Sequence, residues 1–147
     1  MTTVVGTDRR AVAARFLLAL VLVSVLAILL WPTRPAAGSQ NALEAWFDRL
    51  HARGLPTWVG FGTVEFLANV AMFVPLGLLT VLAWPGRPWW VPVLGWLLFS
   101  AVAELTQASL QPHRVGDWRD VVANSTGALL GVLAARWWLR RRPERQR

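Results

Sequence analysis

RVGDWRDVVANSTGALLG, residues Arg114–Gly131, decides how this chain folds. The stretch opens charged and closes apolar. Asp117, Asp120, Asn124, Gly127 and Gly131 recur at intervals of three, four, three and four residues. That spacing keeps all five on one face of an α-helix, as a seam against other helices rather than a solvent face. The apolar run that follows, from about Val121 to Leu139, has the length of a membrane span. The stretch therefore sets acid and amide groups at the mouth of a membrane helix.

Three more apolar runs precede it, at about Ala11–Trp31, Val64–Trp84 and Trp89–Leu110. Each is close to the roughly 20 residues needed to cross the hydrocarbon core at about 1.5 Å per residue. Trp31, Trp84, Trp89, Trp90, Trp137 and Trp138 lie at the ends of these runs, where interfacial aromatics collect. Pro75 and Pro92 fall inside the second and third, which membrane helices tolerate. The chain is 55% hydrophobic and 16% charged, with 10 Trp in 147 residues, unlike a soluble domain of this size. The expected fold is all-α: a polytopic bundle of four transmembrane helices forming one domain over residues 1–147, with a basic tail at 140–147.

Every basic residue is Arg, and with the many Ala and Gly this points to a GC-rich, bacterial coding sequence. The net charge of +7 does not indicate nucleic acid, because the Arg residues flank apolar runs. With both termini inside, the inner segments hold Arg9, Arg10, Arg15, Arg87, Arg136, Arg140, Arg141, Arg142, Arg145 and Arg147. The outer segments hold only Arg34, Arg49, Arg53, Arg114 and Arg119, so the positive-inside rule prefers this orientation. The short Pro85–Pro88 turn makes the second and third helices an antiparallel hairpin. The outer loop from Pro32 to Thr63 contains SQNALEAWFDRLHARG. There Ser39 is placed to cap a short amphipathic helix carrying Leu43, Trp46, Phe47 and Leu50 on one side. Arg9 and Arg10, the first apolar run and Ala36-Ala37-Gly38 also fit a cleavable signal peptide. The length of that run and its Trp31-Pro32 end favour a retained helix.

Polar residues form three stripes at one end of the spans. Glu65 and Asn69 are four apart in the second helix; Ser100, Glu104 and Gln107 follow intervals of four and three in the third. Asn69, Glu104 and Asn124 each fall within about 10 Å of the outer boundary by helix rise. One outward-opening polar pocket is expected, with Arg114 and Arg119 at its rim. Plainer roles stand beside this one. Asp117 or Asp120 can cap the fourth helix and complement its dipole. Asn69 and Asn124 can be interhelical hydrogen-bond glue. Gly127 and Gly131 form GxxxG for close packing, and Pro75 and Gly77 shape the second helix. Glu104, near a helix C-terminus, needs an Arg, a proton or water; Arg114 is the partner of choice.

Catalysis is not singled out. Cys is absent and His51 and His113 are the two His, with no HxxxH or HExxH spacing, so no metal or cofactor is expected. Ser100 and Ser125 lack a triad pattern. If chemistry occurs, Glu104 and Asp120 are the candidate acid–base groups, and Arg114 would hold phosphate.

EFLANVAMFVPLGLLTVL (Glu65–Leu82), AELTQ (Ala103–Gln107) and RVGDWRDVVANSTGALLG resemble the VanZ-like family. The resemblance rests on Asn69, Phe73, Pro75, Leu76 and Gly77, then Glu104 and Gln107, then Arg114, Asp117, Asp120, Asn124 and Gly127. It covers about half the chain, in the family's order. It implies a small multi-pass protein of the bacterial cytoplasmic membrane, and the family's named member lowers susceptibility to the glycopeptide teicoplanin. The implied partners are the lipid bilayer and a lipoglycopeptide, an envelope lipid or a cell-wall precursor. Three functions follow as expectations: a binding protein acting through the polar pocket, a membrane enzyme modifying an envelope lipid or precursor, or a structural scaffold.

Overall fold

A computed structural model of the chain describes residues 9–29, 37–110 and 118–141. They form five helices: α1 (Arg9–Leu29), α2 (Ala37–His51), α3 (Phe61–Ala83), α4 (Trp90–Leu110) and α5 (Trp118–Arg140). Among the described residues there is no strand.

The four long helices fall on the four apolar runs, with shifted ends. α5 begins at Trp118, before its apolar run, because Asp120 in the first turn suits the positive end of the helix dipole. The short helix was expected to start from a Ser39 cap. Instead α2 begins at Ala37, so Ser39 lies inside the first turn. Its far end is closed by Gly54 at φ 99°, with Leu55 N–H donating to the Leu50 carbonyl and Gly54 N–H to that of His51, both at 3.0 Å. Gly there takes the left-handed conformation that terminates helices at little cost. The His51 Nε2–H donates to the Val59 carbonyl at 2.9 Å, tying α2 to the entry of α3. Pro92 sits in the first turn of α4, where a missing N–H costs nothing. Pro75 is the proline inside α3.

α3 is central: its most extensive packing is on α5 and its next on α1. α4 lies mainly against α5, and touches α3 less than their short hairpin turn suggests. Glycines set the α3–α5 distance. A Cβ on Gly127 would land on the Val70 carbonyl oxygen, one on Gly131 on that of Val74, and one on Gly77 on that of Ala128. The two backbones are in contact at all three, the close approach small residues give to membrane helices. Gly77, expected to shape α3, is the reciprocal half of this contact. Asn69 meets Asp120 at one end of the pair and Val81 packs with Val132 and Ala135 at the other, so α3 and α5 run parallel.

Leu18 and Val25 of α1, Phe73 and Leu76 of α3 and Ala128 of α5 form the core, with Trp96 and Phe99 of α4 packed on it. The Phe73, Trp96 and Phe99 rings lie 5.4–6.3 Å apart in edge and tilted contacts. Outside this core the helices turn Phe16, Leu20, Val23, Leu67, Leu98, Leu105 and Leu133 outward. α1 over Arg9–Ile28 and α3 over Phe61–Ala83 are long and apolar enough to cross a membrane, with mean hydropathy 2.6 and 2.1. Only 28% of the α3 window is buried, which sets it apart from the core helix of a soluble protein. The comparably apolar part of α4, Trp90–Thr106, is shorter.

Candidate functional site

Asn69 leaves α3 one turn above Phe73, and its Nδ2 donates to Asp120 Oδ1 of α5 at 2.9 Å. One turn along α5, Asn124 Nδ2 donates to Ser100 Oγ of α4 at 2.8 Å, with both side chains buried. The face expected as one seam is therefore shared between two partners: Asp120 reaches α3, Asn124 reaches α4, and Gly127 and Gly131 lie on the α3 backbone. The buried Asn124 Oδ1 and Ser125 Oγ have no hydrogen-bond partner among the described residues.

Register places the remaining groups. Arg136 Nη2 near the end of α5 donates to the Arg87 carbonyl, in the turn just before α4, at 2.5 Å. α4 and α5 thus run antiparallel. From the Ser100–Asn124 pair, one turn forward on α4 is Glu104, and one turn back on α5 is Asp120. The two carboxylates occupy the same level of the bundle, Glu104 and Asp120 both half-buried. Gln107 follows three residues further along α4. Glu65 stands one turn before Asn69 but is exposed. Arg119 reaches over to the start of α3, with Nη1 3.8 Å from where a Cβ of Gly62 would stand. Arg114, Asp117 and His113 lie outside the described residues, as does the expected Glu104–Arg114 pair.

The opposite end of the bundle is basic. Arg15 Nε donates to the Ala83 carbonyl at 3.3 Å, and its guanidinium lies 5.6 Å from the Trp84 ring. α1 is therefore antiparallel to α3. Arg9, Arg10, Arg15, Arg87, Arg136, Arg140 and Arg141 all belong to this end, whereas Asp120, Glu104 and Glu65 belong to the other.

Two bonds had no reading in the sequence. Ser100 was noted for its spacing from Glu104, yet its partner is Asn124. Trp96 Nε1 donates to Thr80 Oγ1 at 3.0 Å, and Thr80 Oγ1 donates to the Leu76 carbonyl at 2.7 Å. The available signal was that Trp96 is the one Trp in the middle of a span, where an indole N–H needs a partner.

Among the described residues no group of three or more His, Asp or Glu is arranged to hold a metal ion. The arrangement can present the Glu104 and Asp120 carboxylates and the Asn69 amide at one level and bind a donor-rich polar group there. It also joins three helices through side-chain hydrogen bonds.

Neither the curated proteins nor the solved structures give a match to this chain. A sequence model of the VanZ/LLP1 family matches residues 15–139, a span holding every site residue placed above. Two of its helices are long and apolar enough to cross a membrane, and this chain belongs to the VanZ/LLP1 family.

Proposed function

We propose that α1, α3, α4 and α5 each cross the cytoplasmic membrane of a bacterium, with both termini inside, and that the acidic end acts from the outer leaflet. The excess of Arg at the end of the bundle that holds the termini over the other supports that orientation. In this setting the Asn69–Asp120 and Glu104 level engages the polar part of a lipid-bearing molecule of the envelope, a lipoglycopeptide of the teicoplanin type foremost. Such molecules partition into the outer leaflet, where their polar parts meet this level. The observation that carries the reading is the Asn69–Asp120 bond between α3 and α5, with half-buried Glu104 of α4 at the same level, at the end away from the main Arg cluster.

The test is expression in a susceptible host. Tolerance to teicoplanin is expected to rise more than tolerance to vancomycin, and Asp120→Ala is expected to remove the gain at matched protein level. Unchanged tolerance with intact expression overturns the reading. Reporter fusions at the two termini and in the α2 region check the orientation, which requires cytoplasmic signals from both termini.

The same hydrogen bonds support a structural reading. Asn124 is 4% exposed and Ser100 is 2% exposed, so this pair is closed to any ligand and holds α4 on α5. If that is the whole role of the polar residues, Asp120→Asn and Glu104→Gln lower folded protein, and tolerance per folded molecule does not change.

A further inference from the structure

α4 leans on α5 and leaves α3 partly uncovered, and this opens a groove between α1, α3 and α4 near the basic end. The groove has a volume of about 460 Å³, within the roughly 300–1,000 Å³ of small-molecule sites. Leu18 and Leu22 form one wall and Trp96 and Phe99 another. The polar pair inside it, Trp96 Nε1 and Thr80 Oγ1, is already satisfied, so the interior asks for hydrocarbon. A second hollow of about 370 Å³ lies at its mouth and shares Trp84 and Arg87 with it. Arg15 and Arg87 both line that hollow. Arg15 uses Nε to hold the Ala83 carbonyl, and the Arg87 side chain makes no hydrogen bond or ion pair with the described residues.

An apolar slot opening onto two guanidinium groups fits one chemistry. We infer that this groove binds one anionic phospholipid of the surrounding membrane, an acyl chain lying against Leu18, Leu22 and Phe99 and the phosphate on Arg15 and Arg87. Guanidinium matches a phosphate fork to fork, and basic pockets between membrane helices on the cytoplasmic side take anionic head groups. The inference rests on the membrane reading above, with the basic end at the water boundary. It concerns a different end of the molecule from the Asp120 level, and so assigns a second site.

Two substitutions test it without attacking the fold. Arg87→Gln removes one guanidinium that makes no hydrogen bond or ion pair with the described residues. Gly95→Phe fills the slot from α4, since Gly95 lines the groove and a Cβ there meets nothing within 4 Å. Arg15→Gln is less clean, because it also removes the bond to Ala83. The purified protein is placed in bilayer discs of mixed phosphatidylglycerol and phosphatidylcholine, and retained lipid is counted by native mass spectrometry. Preferential retention of one phosphatidylglycerol is expected. Arg87→Gln is expected to lower that preference about fivefold, and Gly95→Phe to abolish retention while the protein stays monodisperse and helical. Equal retention of the two lipids, or retention indifferent to both variants, overturns the inference. Alkaline extraction of native membranes separates the two failures. A chain that stays in the membrane but shows no lipid preference defeats only the lipid site, whereas a chain released by alkali defeats the membrane reading and the lipid site together.

Discussion

Asn69 on α3 donates a 2.9 Å hydrogen bond to Asp120 in the first turn of α5, across 51 residues of sequence. The bond sits directly above the glycine seam that brings the two helices into backbone contact. Close approach and side-chain pairing therefore depend on each other. Short polar side chains meet because Gly127 and Gly131 let the helices come near.

Asn69→Ala leaves the Asp120 carboxylate without this donor. The expected loss is about 0.6–1.7 kcal/mol, the range of hydrogen bonds between membrane helices. Asp120→Ala in the same background is expected to add less than it does alone, since the two residues share one interaction. Unfolding in mixed micelles with the single and double variants measures both.

The glycine seam gives a position-specific prediction. Gly127→Ala and Gly131→Ala each drive a methyl group into a carbonyl of α3, and either is expected to cost about 1–3 kcal/mol and to lower abundance. Gly95→Ala, whose new Cβ meets open space, is expected to be neutral or to gain up to about 1 kcal/mol through helix propensity. Thermal unfolding in detergent ranks the three.

Ser100→Ala leaves the Asn124 amide buried beside an Oδ1 that already lacks a partner among the described residues. A loss of about 1–3 kcal/mol is expected. Adding Asn124→Leu is expected to recover much of it, because replacing both polar partners removes the unmet demand. A double variant no better than Ser100→Ala contradicts this account of the pair.

Thr80→Val keeps the volume and removes the acceptor for the Trp96 indole. A cost of about 1 kcal/mol is expected, and Trp96→Phe in the Thr80→Val background is expected to recover part of it. The same unfolding measurement decides.

The extent of each long helix was legible because apolar length and flanking Arg and Trp residues are local signals. α2 was legible from the spacing of Leu43, Trp46, Phe47 and Leu50. Its start was misplaced because Ser39 carries a cap signal inside a helix that begins earlier. The spacing of Asp120, Asn124, Gly127 and Gly131 announced a buried face but not its partners. One helix face can touch two neighbours, and which residue meets which depends on crossing geometry that no spacing encodes. Gly77 shows the same limit: a single Gly in an apolar helix makes no pattern until the opposing backbone is in place. Ser100 was visible as a member of a stripe but not as the partner of Asn124, for the same reason.

The central claim is that the Asp120 carboxylate does more than hold α5 to α3. The most direct measurement exchanges the pair: Asn69→Asp with Asp120→Asn, at matched expression, scored for folded protein and for teicoplanin tolerance. The exchanged amide and carboxylate can rebuild the interhelical hydrogen bond with donor and acceptor reversed. The account predicts that folded protein returns towards wild type while tolerance does not, because the carboxylate has left its place on α5. Recovery of both would contradict it and leave the polar pair as a fastening between helices.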